Sequence, residues 1–494
     1  MAERDELLIG IDIGTSSCKA VLFRADGTPV AGAKRDYPLS VLGDGMVEQD
    51  PDDYIRGVIG AVRELTDTHP ELRERVVGIG LDGQVPTDIF LGADGEPLCP
   101  GISWQDTRAV READELRRVF PEEKTRELVG SNVPVSAGWT ASRLLWMRRN
   151  RPELVNRCRK VSLPKDYVGQ FLTGGDTVSD GWSMKSTVHL LTGKPAGELL
   201  DYIGIGCDRM PEIRPWGALR GTLTEKSAEL LGLSREVRVS CGCSDAPAAI
   251  LGCGVLAAPG IAFDSCGTSE IVGLSGSVFA DCPGLMTIPA EVTGSLPILY
   301  GPTQSGSGCL SWFAERLLEG KLSVAELCAR VDPSAPVTSV LFRPYLAGER
   351  APLWDPELRA DFSGFGKEHG LTDFVRAILE GVGFSVRHCL HVATEGIRRL
   401  DPSFALTAMR LTGGGAKSPA WRQIKADICG ITGELTACGE SCALGAAMTA
   451  AVGLGLYADW QEASVNMVRV TERISPNPEM SVAYDRKFQT YLER

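Results

Sequence analysis

The chain has no Walker A loop, no two cysteines in Cys-x-x-Cys spacing, only five histidines and no basic excess. Each absence closes off a class. Asp and Glu outnumber Lys and Arg to give a formal charge of -13, so nothing offsets a phosphate backbone and a dedicated nucleic-acid binder is not expected. Without Cys-x-x-Cys pairs, and with few histidines to complete a set, a zinc site is not expected either. Cys241 and Cys243, and Cys438 and Cys442, read instead as small buried apolar side chains. The 15 cysteines are odd in number and scattered through apolar stretches, which fits reduced thiols better than a disulfide framework. The opening MAERDELLIG is charged and does not read as a signal peptide. The stretch from Ser240 to Phe263 is rich in Ala, Gly and Cys, but Asp245, Pro247 and Pro259 interrupt it, which excludes a membrane span. A cytoplasmic protein is expected. Low-complexity segments are absent.

What is present is the balance of a soluble globular protein, 43% hydrophobic and 23% charged. A chain of 494 residues exceeds one ordinary core and predicts about two to four domains. Leu7 to Ile13 is a short apolar run that reads as a buried strand, and Lys19 to Phe23 as a second. Asp26-Gly27 supplies the turn to a third strand from Val30. Asp50-Pro51 caps a helix running to about Thr66, and Val76 to Leu81 reads as another buried strand. This alternation predicts an α/β layer architecture. The second half restarts in the same way, FDSCGTSEIVGL (263–274) standing beside IDIGTSSCKAVL (11–22) as strand, Gly-Thr-Ser turn, strand. Their separation of about 250 residues is one domain's length, so two related domains are expected, 1–257 and 258–494, with a turn-rich boundary at Ala257 to Gly260.

Five stretches could carry chemistry. In Asp12-Ile13-Gly14-Thr15-Ser16-Ser17 a tight turn can aim backbone N–H groups at an anion, and Asp12 at a strand end suits Mg²⁺, which prefers oxygen ligands. An ordinary hairpin with small residues would look the same. Gly267-Thr268-Ser269 repeats that turn and by itself is a weak signal. Asp245 lies among Cys, Ala, Pro and Gly, where a buried carboxylate needs a partner or a task. It also precedes Ala246-Pro247 as a good helix cap would, and the two readings are compatible. Gly413-Gly414-Gly415-Ala416-Lys417 has more glycine than a strand-to-helix turn requires and offers a flat surface for an adenosine. Trp104-Gln105-Asp106-Thr107-Arg108 could hydrogen-bond a polyhydroxylated ligand, or be a solvated loop with an ion pair.

Taken together these stretches resemble the FGGY family of carbohydrate kinases, closest to its xylulokinase branch. The resemblance is carried nearly end to end by IGIDIGTSSCKAVLF (9–23), MVEQDPDDY (46–54), GADGEPLCPGISWQDTR (92–108) and LPKDYVGQFLTG (163–174), then by GCSDAPAAILGCGV (242–255), DSCGTSE (264–270), RPYLAGERAPLWDP (343–356) and LTGGGAKSPAWRQIKADICG (411–430). It implies an α/β fold of two actin-like (ribonuclease H-like) domains with an ATP and sugar cleft between them, and phosphorylation of a small sugar or polyol by ATP with Mg²⁺. It further implies Asp245 as general base, Asp12 and Asp245 as metal-associated carboxylates, and Gly14, Thr15, Ser16, Lys19, Gly267, Thr268 and Ser269 around the phosphates. Gly414, Gly415, Ala416 and Lys417 fall at the adenosine, and Gln84, Val85, Thr87, Trp104, Asp106, Arg108 and Asp245 at the sugar.

The chain departs from the family in two places. Xylulokinases usually carry Gly-Gln-Met-His-Gly where this sequence has Gly83-Gln84-Val85-Pro86-Thr87, with Asp82 and Asp88 flanking the change, and the Arg-Glu pair of glycerol kinases is missing there too. The second departure is Arg143, where the family prefers Lys. A pentulose is therefore the leading acceptor, with a pentitol, tetritol or deoxysugar as alternatives. An actin-like ATPase without kinase activity and an inactive sugar sensor are the rival classes. The partners expected are a sugar or polyol and ATP, without nucleic acid or membrane, and a homodimer is left open.

Overall fold

The computed structural model describes residues 6–493. They divide into two compact units, one holding the chain up to Gly254 with Glu291–Ser295 and Glu440–Val468, the other holding Val255–Ala290, Leu296–Gly439 and the chain from Arg469 onward.

The first unit is built on a sheet whose centre is β1 (Leu7–Ile13). LLIGIDI has no polar side chain before Asp12, which suits a strand covered on both faces. β2 (Ser17–Arg24) and β3 (Pro29–Asp36) continue from it as an antiparallel meander. On its other side β1 pairs in parallel with strand Val76–Gly83, which pairs in parallel with Arg238–Ser240 and Cys243–Ser244. Strand Leu219–Thr222 closes that edge antiparallel. Helix Pro51–Thr68 starts where Asp50 accepts a hydrogen bond from the Asp52 amide, and it lays Tyr54, Val58, Ala61 and Leu65 into the core under the sheet.

The second unit repeats the arrangement. Strand Ile261–Cys266 is antiparallel to Glu270–Ser275, which is antiparallel to Ile298–Pro302. On the other side it is parallel to Ala408–Gly413, then comes Gly433–Thr436, also parallel, and Val470–Ile474 antiparallel. Both sheets thus run antiparallel, antiparallel, parallel, parallel, antiparallel from the meander outward. The edge strands differ in chain order, since Leu219–Thr222 precedes its neighbour and Val470–Ile474 follows it.

One cut of the chain does not separate the units. The C-terminal domain expected as 258–494 gives up Glu440–Val468 to the first unit. The reason is the helix Ser441–Gly453, whose small residues let it lie directly on the first sheet. A Cβ on Gly10 would come 1.8 Å from the Ala443 carbonyl oxygen and one on Gly80 1.7 Å from that of Ala446, so only glycine leaves room for the helix backbone. The same helix meets helix Asp245–Gly252 equally closely, Gly445 lying against Ala248. Among the described residues no disulfide forms, and no helix is long and apolar enough to cross a membrane.

Candidate active site

Three carboxylates gather at the ends of three neighbouring strands of the first unit. Asp12 is the penultimate residue of β1 and stands in parallel register with Asp82 on Val76–Gly83. Asp82 is in register with Cys243 of the next strand, and Asp245 follows two residues later at the start of its helix. In-register neighbours on parallel strands present their side chains to the same face. Oxygens of Asp12 and Asp82 and the Sγ of Cys442 accordingly lie within 4.8 Å of one another. Asp82 is fully buried, and its carboxylate oxygens find no partner beyond the neighbouring Asp12 carboxyl. Burial, with Asp12 adding repulsion, pushes the Asp82 carboxyl far above the usual range, and burial also raises Asp12. Such a pair calls for a shared proton or a cation. Its orphaned oxygens fit a divalent cation, which would supply charge for phosphate oxygens to lean on. The sequence reading passes over Asp82 as a ligand, although GIDIG (10–14) and GLDGQ (80–84) both end an apolar strand in Asp.

Asp245 is the first residue of its helix, with Ser244 as the cap position. Its Oδ1 accepts a hydrogen bond from the Ala246 amide at 2.7 Å. The cap expected at Asp245 therefore falls one residue earlier, at Ser244, which makes no side-chain cap bond, and Asp245 stands in the first turn with its carboxylate on the adjoining amide. Burial, helped by Asp12, lifts its carboxyl to about 6, against the pull of Lys185. The residue nevertheless keeps part of its surface accessible.

The turn after β1 is fixed from its carbonyl side. Tyr37 donates its hydroxyl to the Gly14 carbonyl at 2.6 Å and its amide to that of Ser16, while Gln49 Nε2 donates to Thr15 O at 2.6 Å. A trans peptide held by its carbonyl presents its N–H the other way, which leaves the N–H edge of Thr15 and Ser16 for an anion. Lys19 is paired with Glu440 at 2.6 Å. Its ammonium therefore sits between Glu440 and Asp12, and both raise its pKa.

The residues expected at the sugar divide into two groups. Trp104 keeps 43% of its surface exposed and donates its indole N–H to Thr15 Oγ1 at 2.9 Å. Gln84 reaches Gln49 Oε1 at 2.7 Å, and its own buried Oε1 has no partner. Val85 is partly buried against the core of this region. Thr87 and Asp106, by contrast, belong to the interior. Thr87 accepts from the Trp104 amide, and Asp106, 1% exposed, accepts from the Val47 amide and from Arg108. Arg108 is completed by Glu48 at 2.7 Å, so Asp106 and Arg108 form a buried ionic clamp rather than a free recognition pair. The two departures from the family also meet in space. Arg143, wholly buried, donates to the Pro86 carbonyl at 2.8 Å, to Asp88 at 3.0 Å and to the Ser103 carbonyl at 2.7 Å. The planar guanidinium reaches these three acceptors from two separate nitrogens, a spread that the single nitrogen of an ammonium does not offer.

In the second unit, Gly267–Ser269 forms the corresponding turn, closed by a Gly267 N–H bond to Ser269 O at 2.9 Å. Its strand runs one residue further past the aspartate and its loop is one residue shorter, so Gly-Thr stays at the tip. Asp264 before the turn and Glu270 after it both bind Lys425 Nζ in the interior. Lys425 belongs to helix Pro419–Cys429, which follows the glycine-rich loop, so this triad fastens loop and turn together. A 990 Å³ recess opens beside them. Gly414, Gly415 and Lys417 line it, with Ser307 and Ser311 on another wall, whereas Ala416 faces inward toward Asp264 and Lys425. Ser307 Oγ donates to the Gly267 carbonyl at 2.7 Å, so the recess reaches the turn. Its size and largely apolar walls suit a nucleoside.

Two mixed sheets with the same strand directions, each with a Gly-Thr turn after its central strand, define an actin-like fold. The chain belongs to the FGGY family of carbohydrate kinases: residues 7–252 match the family's N-terminal domain and 262–454 its C-terminal domain. It is 32% identical to a xylulose kinase of Escherichia coli (strain K12) over 437 residues, 86% of this chain and 85% of that one. It is 27% identical to a gluconokinase of Bacillus subtilis (strain 168) over 496 residues, 97% of this chain and 93% of that one. The crystal structure of a xyloylose kinase from Brucella ovis superposes with a TM-score of 0.89 at 29% identity, covering 99% of this chain and 98% of that one. The protein is thus a sugar kinase near the xylulokinases, a family that uses ATP and typically a divalent metal.

Proposed function

We propose that the enzyme transfers the γ-phosphoryl group of ATP to a hydroxyl of a pentulose, with Asp245 as general base. The observation that carries this reading is Asp245 itself: a carboxylate raised to about 6, still accessible, beside the Asp12 and Asp82 pair. A base poised near the working pH is ionised yet strong enough to take a hydroxyl proton. Asp12 and Asp82 would hold Mg²⁺, which when bound supplies positive charge to the phosphate oxygens. The N–H edges of the turns at 14–16 and 267–269 would hold phosphates, and the recess at Gly414 and Gly415 the adenosine. Trp104 and Gln84 would meet the sugar, while Asp106, Arg108 and Thr87 shape the loop that carries Trp104. The pentulose reading is supported by the xylulose kinases among the relatives. ADP release measured over a panel of pentuloses, pentitols, tetritols and aldonates tests it, and release without any sugar dependence would defeat it. In the same assay Asp245→Asn is expected to bind ATP normally and lose about 10²-fold or more in turnover.

A further inference from the structure

Lys185 is a cation that the mechanism above does not use. It ends a tight turn that begins at Asp180, whose Oδ1 accepts from the Ser183 amide at 2.9 Å and from the Trp216 indole at 3.1 Å. The other Asp180 oxygen is paired with Lys165 at 3.0 Å, and Lys165 is also paired with Asp166. Asp180 is thus already compensated, and the turn is anchored to helix Pro164–Thr173, where Lys165 lies against Gly83 at the end of the Asp82 strand. The Lys185 ammonium has one hydrogen bond, to the Trp182 carbonyl at 3.3 Å, and lies 5.1 Å from the Trp182 ring centroid. No ion pair reaches it among the described residues. Burial without a close carboxylate lowers it to about 8, and the charges acting on it are those of Asp180 and Asp245. Both Lys185 and Asp245 keep accessible surface despite the protein around them.

We propose that Lys185 selects the acceptor: its ammonium donates to a carbonyl or carboxylate oxygen of the molecule whose hydroxyl Asp245 deprotonates. The enzyme then takes a ketose or an aldonate in preference to a polyol. The two groups are complementary, and the assignment rests on Asp245 being the base. Asp245 is acceptor-only and takes a hydroxyl, whereas an ammonium is donor-only and takes an oxygen with no proton of its own. A polyol hydroxyl set against Lys185 would have to place its proton beside the apolar Trp182 ring, which lies 5.1 Å from the ammonium.

Initial rates for a pentulose, the matching pentitol and a five-carbon aldonate test this on wild-type enzyme, Lys185→Met and Lys185→Gln. Wild type is expected to prefer the pentulose or the aldonate over the pentitol by about tenfold or more in kcat/KM. Both variants should bring that ratio close to one through KM, while thermal unfolding reports that they remain folded. A stronger loss on the aldonate identifies a carboxylate as the natural partner, and a stronger loss on the pentulose a carbonyl. A pentitol preferred by wild type, or a ratio unchanged in both folded variants, overturns the proposal. Asp245→Asn run in parallel separates the two readings, because turnover persisting there removes the base whatever Lys185 does.

Discussion

A proton can be taken by Asp245 only when its carboxyl is ionised, and burial has moved that ionisation up to about 6. The direction follows directly: below that pH the base is protonated, so kcat/KM should fall about tenfold per pH unit on the acid side and level off above it. A pH profile of kcat/KM at saturating ATP checks this, and a limb near the ordinary carboxylate value would mean that Asp245 is not the titrating group. Asp82 carries a separate prediction. Its two oxygens are buried with only the Asp12 carboxyl beside them, so Asp82→Asn should relieve the repulsion with Asp12 and raise stability while weakening divalent-cation binding. Titration calorimetry with Mg²⁺ and thermal unfolding without it read the two effects separately. Asp12 and Asp245 stand out in the sequence because each sits in a conspicuous local setting, one before a Gly-Thr turn and one before Ala-Pro. Asp82 is hidden because its significance lies in register: only the pairing of two distant strands puts it beside Asp12. Asp106 and Arg108 mislead for the converse reason, since a polar pentad looks the same whether its charges face a ligand or each other.

Elements whose signals are local fall within one or two residues of expectation. β1 matches Leu7 to Ile13, and the helix after Asp50 runs to Thr68 rather than Thr66. Apolar runs, an Asp-Pro cap and Asp-Gly turns are read from neighbours in the chain, so nothing distant is needed. The helix Ser441–Gly453 shows the limit, because its amino acids say that something lies close to it but not what. Its contact with β1 and strand Val76–Gly83 is backbone to backbone, and a single methyl is enough to disturb it. Gly80→Ala should therefore destabilise the protein by about 1–3 kcal/mol, as overpacking does, read as a lower midpoint in urea. Lys425→Met tests the other sheet. It would leave Asp264 and Glu270 buried without their cation, a loss of about 3–5 kcal/mol by the usual measure of a broken buried pair. Thermal unfolding should show it, and a variant as stable as wild type would mean that the two carboxyls simply take up protons.

At the scale of the whole molecule, the two sheets share one order of strand directions although the sequences that form them align over only a short stretch. That stretch, the strand and Gly-Thr turn, is the part where the backbone itself has a task, while the covering helices have been free to diverge. The helix at 441–453 is where the duplication and the packing part company, because in sequence it lies between the second sheet's strands Gly433–Thr436 and Val470–Ile474, and in space it packs on the first sheet. Synthesis gives that arrangement a clock. Roughly 190 residues separate Gly254 from Ser441, which a ribosome takes roughly 10–40 s to add at about 5–20 residues per second. Throughout that interval the nascent first sheet presents the bare glycine faces of β1 and its neighbour with nothing to cover them. The half of the protein that is made first therefore waits for a helix made near the end of synthesis, and a chain stalled before Glu440 is a natural client for chaperones and proteases.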